Sequence, residues 1–297
     1  MTFAYDKDSD GIVTITIDMP NYSANVLNKD FFKLYEETLE RLDADESATG
    51  AILISGKKLW IAGADIDSAF DSTEASFFFE MSEKLKADLR RLETMNKPVV
   101  AALNGTALGG GMEVALACHH RIAIDNDRIK FGFPEVGLGL LPGAGGVVRT
   151  VRLIGLQNSL EWLTQNRKYT PSKALKAGMI HDLAKDQDEL IAKAKAWIKA
   201  NPKAQAPWDA DPKYRIPGGN PSSPKVAQML AIGPAMVRKE SKGVYPAPPT
   251  IMAAAVKSQP GLRRSLWIIS RHAGRTTPIP TSTSQLTDCR ENSPRWV

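Results

Sequence analysis

The chain has 297 residues, of which 43% are hydrophobic, and a formal net charge of +5. That length allows one large domain or two small ones. No run of eighteen apolar residues occurs, which excludes a predicted membrane span. Residues 1–10 hold three aspartates and no apolar core, unlike a secretory signal. Two cysteines, Cys118 and Cys289, are too few for a disulfide framework, so we expect a reducing, cytoplasmic compartment.

The positive charge lies at one end of the sequence. Residues 257–297 contain seven Lys or Arg and two Asp or Glu, so this tail alone accounts for the net charge. Residues 1–256 are electrically balanced, which argues against nucleic acid as a partner. Because the tail is rich in Ser, Thr, Pro and Arg without a sustained apolar period, we predict that it is disordered and hypothesise a non-native origin.

Strand and helix patterns alternate in the first third of the chain. An apolar–Thr alternation predicts a strand, a capped amphipathic pattern beginning at Asn28 or Asp30 predicts a helix to Leu42, and a second apolar strand follows. A loop rich in small residues then precedes a long helix. The predicted ranges are 12–17, 51–55 and 99–103 for strands, 56–67 for the loop and 77–95 for the long helix.

The centre of the sequence joins a buried strand to a helix through three glycines. Val99 to Leu103 precede the Asn104-Gly105 turn signal, and Gly109 to Gly111 lead into the apolar segment 112–118. Backbone N–H groups at such a helix start lack partners within the helix. They can therefore hold a phosphate or the oxyanion of a polarised carbonyl.

The second half is predicted to be mainly helical. Alternation of strands and helices up to this point predicts α/β architecture. A long Pro- and Gly-rich connection over 204–224 separates the last helices from the rest. The predictions are strands at 121–124 and 129–131 and helices at 158–164, 172–177, 189–200, 226–242 and 249–256.

Two carboxylates accompany the glycine-rich junction. Glu113 lies one turn into the predicted helix, and Glu135 follows Phe131-Gly132-Phe133-Pro134. Apolar and glycine-rich surroundings favour burial, which raises a carboxyl pKa toward a useful range. Two such carboxylates near an anion hole predict an acid/base pair. His119 and His120 have no apparent third ligand, so the sequence predicts no metal site.

These motifs resemble the crotonase (enoyl-CoA hydratase/isomerase) superfamily. Residues 104–113 read N-G-x-A-x-G-G-G-x-E, residues 139–146 read G-L-L-P-G-A-G-G, and Ile61 to Ile66 stand where the family keeps the other half of its oxyanion hole. The resemblance covers about residues 10–256. Leu116 to His119 and the Tyr245-Pro246-Ala247-Pro248 segment point to the hydratase/isomerase domain of multifunctional fatty-acid-oxidation α-subunits.

The resemblance implies a fold and a domain plan. The expected fold is α/β, a spiral of ββα units with a C-terminal helical region. Residues 1–200 would form the hydratase/isomerase core, 201–256 a loop and helices of the same domain, and 257–297 the tail. Val147-Val148 depart from the family's usual Thr-Gln before Arg149, which puts local contacts there in doubt.

The resemblance also implies a reaction. Ala64 and Gly110 would donate the two oxyanion-hole N–H groups, Glu113 would hold and activate water, and Glu135 would transfer a proton at Cα. The implied activity is hydration of trans-2-enoyl-CoA, with Δ3-to-Δ2 isomerisation as a further activity and no cofactor. Implied substrate-binding residues are Ala62, Gly63, Asp65, Ile66, Gly109, Pro134 and Gly143, with helix capping as the favoured role of Asp65 and a turn shaping the acyl pocket at 143–146.

Other interpretations stay open from the sequence. The superfamily contains dehalogenases, thioester hydrolases and ring-forming synthases, although both glutamates argue against most of these. A second alternative is an inactive truncated fragment or an interaction module of a multifunctional β-oxidation protein. The partner implied by resemblance is an acyl-CoA, within a homo-trimer or a complex with a thiolase subunit.

Overall fold

The computed structural model describes residues 3–65, 75–219, 223–240 and 246–258. In chain order the strands are β1 (Ala4–Lys7), β2 (Ile12–Ile17), β3 (Gly50–Ser55), β4 (Leu59–Ile61), β5 (Val99–Leu103), β6 (Thr106–Leu108), β7 (His120–Ile124), β8 (Phe131–Gly132) and β9 (Asp182–Ala184). The helices are α1 (Lys29–Ala44), α2 (Ala75–Thr94), α3 (Gly110–Ala117), α4 (Gly146–Thr164), α5 (Pro171–Ala177), α6 (Gln187–Ala200), α7 (Pro207–Ala210), α8 (Pro224–Glu240) and α9 (Ala247–Lys257), with a 3₁₀ helix at Pro134–Leu138.

Three successive ββα units build the body. The units are β3-β4-α2, β5-β6-α3 and β7-β8-α4. The first strand of each unit lies in a six-stranded sheet of order β1-β2-β3-β5-β7-β9, and the second lies in a three-stranded sheet of order β4-β6-β8. Among the strand pairs of the described residues, β1–β2 is antiparallel and the others are parallel. The predicted α/β class and the spiral of ββα units are thereby confirmed.

The central strands β3 and β5 of the large sheet are buried on both faces. Every residue of β5 is buried, which explains its unbroken apolar run, since parallel strands covered on both sides need no polar face. One face packs into the main core with α1 to α4, and the other packs against Leu190, Ala194 and Ile198 of α6. Burying the apolar stripe of α6 contributes on the order of 25 cal/mol per Å² of apolar surface removed from water.

The predicted elements agree with the structure most closely where periodicity is strong. β2 and β5 match their predicted bounds, and Asn28 caps α1, its Oδ1 accepting the N–H of Phe31 at 3.0 Å. The predicted start of the helix at 158 is wrong, because α4 begins at Gly146 and turns at Gly155 (φ 81°). The predicted loop 56–67 also contains the short strand β4.

The C-terminal helices share the main core. Val226 of α8 and Ile251, Ala254 and Ala255 of α9 belong to the same buried cluster as the strands, and α9 packs along α4. The predicted domain boundaries stay a prediction, and the tail beyond residue 258 lies outside the described residues. Within the described part of the chain, no helix is long and apolar enough to cross a membrane.

Candidate active site

Glu113 lies in the first turn of α3 and is almost completely buried, with 3% of its surface exposed. Its Oε1 accepts two backbone hydrogen bonds, from the N–H of Ala144 and from the N–H of Gly146, both at 2.7 Å. The space for this carboxyl depends on glycine: a Cβ on Gly146 would lie 2.8 Å from both Cγ and Oε1 of Glu113. The loop 144–146 therefore fixes one carboxylate oxygen and leaves Oε2 for other partners.

Glu135 lies in the 3₁₀ helix that follows β8. Its carboxyl lies over the glycine junction, since a Cβ on Gly109 would lie 2.8 Å from Glu135 Oε1. Gly109 has φ +54°, a conformation that disfavours any side chain. Among the described residues, Oε2 of Glu135 is buried without a hydrogen-bond partner. A buried carboxyl oxygen without a partner is suited to exchange a proton with a bound molecule.

The two carboxyls titrate as an interacting pair. Burial raises the pKa of Glu113, while the N–H groups of Gly146 and Ala144 and the charge of Arg149 oppose that rise. Burial, followed by the negative charge of Glu113, raises the pKa of Glu135 to about 8. Because two loop N–H groups stabilise the charge of Glu113, whereas Glu135 Oε2 has no hydrogen-bond partner among the described residues, a proton shared by the pair at neutral pH resides on Glu135.

The two predicted oxyanion-hole segments lie side by side. Gly110 is the first residue of α3, so its N–H has no acceptor within the helix. A parallel bridge joins Leu27 to Ala64: the Leu27 N–H donates to Gly63 O at 2.8 Å, and the Asp65 N–H donates to Leu27 O at 3.1 Å. In this pattern the N–H of Ala64 itself points away from Leu27.

Leu27 contacts both segments. Its backbone holds residues 63–65, and its Cδ1 packs where a side chain at position 110 would be. A Cβ on Gly111 would overlap the carbonyl oxygen of Ile61, so the start of α3 and the end of β4 are in contact. Sequence reasoning missed Leu27, since an ordinary apolar residue before a helix carries no chemical signal.

Asn25 is a second residue that sequence reasoning missed. Its fully buried amide donates to Ile17 O at 2.8 Å, to Ser55 Oγ at 3.0 Å and to Trp60 O at 3.1 Å, and its Oδ1 accepts the Met19 N–H. Its backbone carbonyl accepts the Ala62 N–H at 2.8 Å. Asn25 thereby ties β2 and β4 to the start of the loop that carries Ala64.

The other predicted substrate-binding residues are spread around this centre. Gly63, Gly109 and Pro134 lie beside the glutamates and the oxyanion segments, whereas Gly143 is exposed and its carbonyl accepts a hydrogen bond from Ser82 Oγ at 2.8 Å. Ile66, and any helix that Asp65 would cap, lie outside the described residues. The substrate contacts of this set stay a prediction.

The adjacent histidines have packing roles. His119 Nδ1 accepts the Val99 N–H at 2.9 Å, and the His120 ring stacks on His181 and on Trp197 with centroids 4.4 and 4.5 Å apart. Within the described ranges, no group of three or more His, Cys, Asp or Glu side chains is placed to bind a metal ion.

Comparison with known proteins identifies the family. The family model described as enoyl-CoA hydratase/isomerase matches residues 7–206. The fatty acid oxidation complex subunit alpha of Idiomarina loihiensis is 38% identical over 206 residues, 69% of this chain and 29% of that protein. The subunit from Shewanella amazonensis is 33% identical over 286 residues, 95% of this chain and 40% of that protein. This chain thus spans less than half the length of these relatives, and the second alignment extends past residue 256.

Solved structures agree on the fold. The enoyl-CoA hydratase from Bacillus anthracis superposes with a TM-score of 0.62 at 21% identity, covering 92% of this chain and 97% of that one. A Geobacillus kaustophilus structure described as enoyl-CoA hydrates superposes with a TM-score of 0.61 at 22% identity, covering 89% of this chain and 92% of that one. With its ββα spiral and the family-model match over residues 7–206, the chain belongs to the enoyl-CoA hydratase/isomerase family.

Proposed function

We propose that this protein hydrates trans-2-enoyl-CoA to 3-hydroxyacyl-CoA with Glu113 and Glu135 as an acid/base pair. The observation that carries the proposal is the unequal surroundings of the two buried carboxyls. Glu113 accepts two N–H groups, and Glu135 has an unpaired buried oxygen and a pKa raised to about 8 by burial and by Glu113. At neutral pH one carboxylate is thus available to activate water and one carboxylic acid to supply a proton.

The thioester carbonyl gains negative charge as water adds. The N–H groups of Ala64 and Gly110 are the donors for that oxygen, because one points away from its bridge partner and the other has no acceptor within its own helix. Each such donor contributes on the order of 3–4 kcal/mol to transition-state stabilisation. Backbone donors cannot be titrated, so this contribution is independent of pH.

Glu113 and Glu135 together account for every proton that moves during hydration. Glu113 removes a proton from water as the water oxygen bonds to Cβ, and Glu135 gives its proton to Cα. The product gains one OH and one H across the former double bond. Transfer of the proton from Glu113 to Glu135 then restores the starting state. Carboxyls and backbone N–H groups supply every step, so the proposal includes no cofactor.

Glu135 also supports Δ3-to-Δ2 isomerisation. That reaction moves a proton from Cα to Cγ of the acyl chain, so it uses the ionised form of Glu135, which takes up the proton from Cα and returns it at Cγ. Glu135 suits this role because its carboxyl lies over Gly109, next to the oxyanion segment at Gly110, and its Oε2 has no hydrogen-bond partner among the described residues. Glu113 has no necessary part in this step.

We propose that the reaction belongs to fatty-acid oxidation, because the matched relatives are named as subunits of fatty acid oxidation complexes. We expect assembly as a homo-trimer or with a thiolase subunit. Light scattering of the purified chain, alone and with a thiolase partner, distinguishes these two arrangements.

The test is loss of the enoyl-thioester absorbance on mixing the purified protein with crotonyl-CoA or a C10 trans-2-enoyl-CoA. Turnover that both Glu113→Gln and Glu135→Gln reduce by about 100-fold or more supports the proposal. A folded, CoA-binding protein without turnover contradicts it and favours an inactive module.

A further inference from the structure

Four alternating charges extend from the surface of the protein to the loop that holds Glu113. Asp209 on α7 accepts two hydrogen bonds from Arg90, each at 2.7 Å. Arg90 also donates to Glu93 Oε2 at 2.7 Å, and Glu93 in turn binds Arg149. Two cations and two anions alternate, so the cluster is neutral as a whole.

The inner pair of this cluster is buried. Glu93 on α2 is 4% exposed and Arg149 on α4 is 6% exposed. Arg149 binds both oxygens of Glu93, with Nε 3.0 Å from Oε1 and Nη2 3.3 Å from Oε2. This two-point contact fixes the plane of the guanidinium, because the five N–H groups of arginine have a rigid arrangement.

Nη1, the remaining nitrogen of the Arg149 guanidinium, contacts the loop 144–146. Arg149 Nη1 donates to the carbonyl of Ala144 at 3.1 Å and lies against Gly145, where no side chain would fit. Ala144 and Gly146 are the residues whose N–H groups hold Glu113 Oε1. The loop is therefore held between the guanidinium on one side and the Glu113 carboxylate on the other.

Glu93 is itself anchored at its backbone. Its carbonyl lies 3.2 Å from His119 Nε2, and His119 Nδ1 accepts the Val99 N–H, so Nε2 carries the proton and donates to Glu93. The end of α2 is thereby tied to β5 and to the end of α3. A buried ion pair by itself contributes little to stability compared with apolar packing, so a role in orientation gives this pair a reason to exist.

We propose that Glu93 is a positioning residue for Glu113, acting through Arg149 and the loop 144–146. The proposal rests on the hydratase function, since it concerns the residue that activates water in that reaction. Glu93 contacts neither substrate nor reacting atoms. Its effect is to hold Arg149 Nη1 under Ala144, so that both N–H donors of the loop stay aimed at Glu113.

The central variant is Glu93→Gln. It preserves volume but presents an NH₂ group to one of the two arginines, so the two-point contact is lost. We expect kcat for hydration to fall about 10- to 100-fold with KM changed by less than about twofold, because a displaced general base slows the chemistry without altering CoA binding. Asp45→Asn is the control: it removes a carboxylate bound to Lys7 and Tyr5, at the end of α1, and should leave kcat unchanged.

A double-mutant comparison separates positioning from loss of folded protein. If Glu93 acts only through Glu113, then adding Glu93→Gln to Glu113→Gln changes the residual kcat by less than about twofold. If the two losses in kcat multiply in the double variant, the proposal is overturned. A variant that merely reduces the folded fraction lowers kcat by the same factor whether or not Glu113 is present. Unchanged kcat in the single variant overturns it as well.

Amide hydrogen exchange supplies a readout that needs no activity. In Glu93→Gln the N–H groups of Ala144 and Gly146 should exchange faster, while those of β5 keep wild-type protection. Unchanged exchange at both positions overturns the proposal. If the wild-type protein lacks hydratase activity, the proposed function fails, and faster exchange at these two amides still shows that Glu93 holds the loop.

Discussion

The carboxyl of Glu135 lies so close to the backbone of Gly109 that a Cβ there would be 2.8 Å from Oε1. Gly109 also has φ +54°, precedes α3 and donates its N–H to Gly132 O at 2.9 Å. One residue thus ends β6, starts the helix that carries Glu113 and leaves room for the second glutamate. The glycine is required by the site as much as by the fold.

Gly109→Ala should therefore reduce hydration sharply. The new methyl displaces the Glu135 carboxyl, and the strained backbone costs about 1–3 kcal/mol. We expect kcat to fall by about 100-fold in steady-state assays of crotonyl-CoA hydration. Gly178→Ala is the matched control, because Gly178 has φ +81° but its added Cβ would meet only Ile154 Cγ2, at an ordinary 3.6 Å. Equal kcat losses in the two variants would refute a specific role of Gly109.

Hydration should depend on pH through Glu135. Its pKa is raised to about 8, chiefly by burial and then by the charge of Glu113. In the proposed mechanism its protonated form supplies the Cα proton. The value of kcat/KM should therefore fall as pH rises through about 8, with a second fall at low pH where Glu113 becomes protonated. A profile of kcat/KM from pH 5 to pH 10 checks this. A rate that rises through pH 8 would assign Glu135 the role of a base.

The raised pKa of Glu135 also predicts how the stability of the folded protein depends on pH. The folded-state pKa of Glu135, about 8, exceeds its ordinary value of 4.5. The stabilising contribution of the protonated carboxyl is thus fully present below about pH 4.5 and is lost as pH rises through about 8. Because glutamine stays neutral, the unfolding free energy of Glu135→Gln minus that of wild type should increase from pH 5 to pH 9. Urea unfolding at both pH values measures this, and Glu46→Gln at an exposed position should show no such gain.

Asn25→Ala should loosen the loop that carries Ala64. The substitution removes the amide that binds Ile17 O, Ser55 Oγ and Trp60 O in a fully buried place. Leaving buried polar groups unsatisfied costs about 1–3 kcal/mol for each group, so we expect several kcal/mol of lost stability and a reduced kcat. Asn201→Ala is the control, since Asn201 makes one side-chain bond, to Trp197 O, at the end of α6. Urea unfolding with activity assays tests both; a loss no larger than that of Asn201→Ala contradicts the assigned role of Asn25.

The two glutamates and the strand β5 are the features that a local sequence pattern marks. Glu113 and Glu135 are predicted as a pair because both lie in apolar or glycine-rich surroundings close to a predicted anion hole, and the strand β5 is predicted because its run is wholly apolar. Both lie where local pattern and tertiary position agree.

The remaining parts depend on long-range contacts that no local pattern encodes. Glu93 and Arg149 are 56 residues apart, and Asn25 binds groups up to 35 residues away. The start of α4 was missed because Gly145 and Gly146 predict a turn, whereas the helix begins at Gly146, whose N–H binds Glu113. β4 was missed because three residues are too few to show a period.

The central claim is the division of roles between the two glutamates, and parallel assays of two reactions test it most directly. Hydration of crotonyl-CoA and conversion of a trans-3-enoyl-CoA to the trans-2 isomer would be measured for wild type, Glu113→Gln and Glu135→Gln. The account predicts that Glu113→Gln loses hydration but keeps isomerisation within about tenfold, while Glu135→Gln loses both. Loss of both reactions in Glu113→Gln, or hydration that survives in Glu135→Gln, would contradict it.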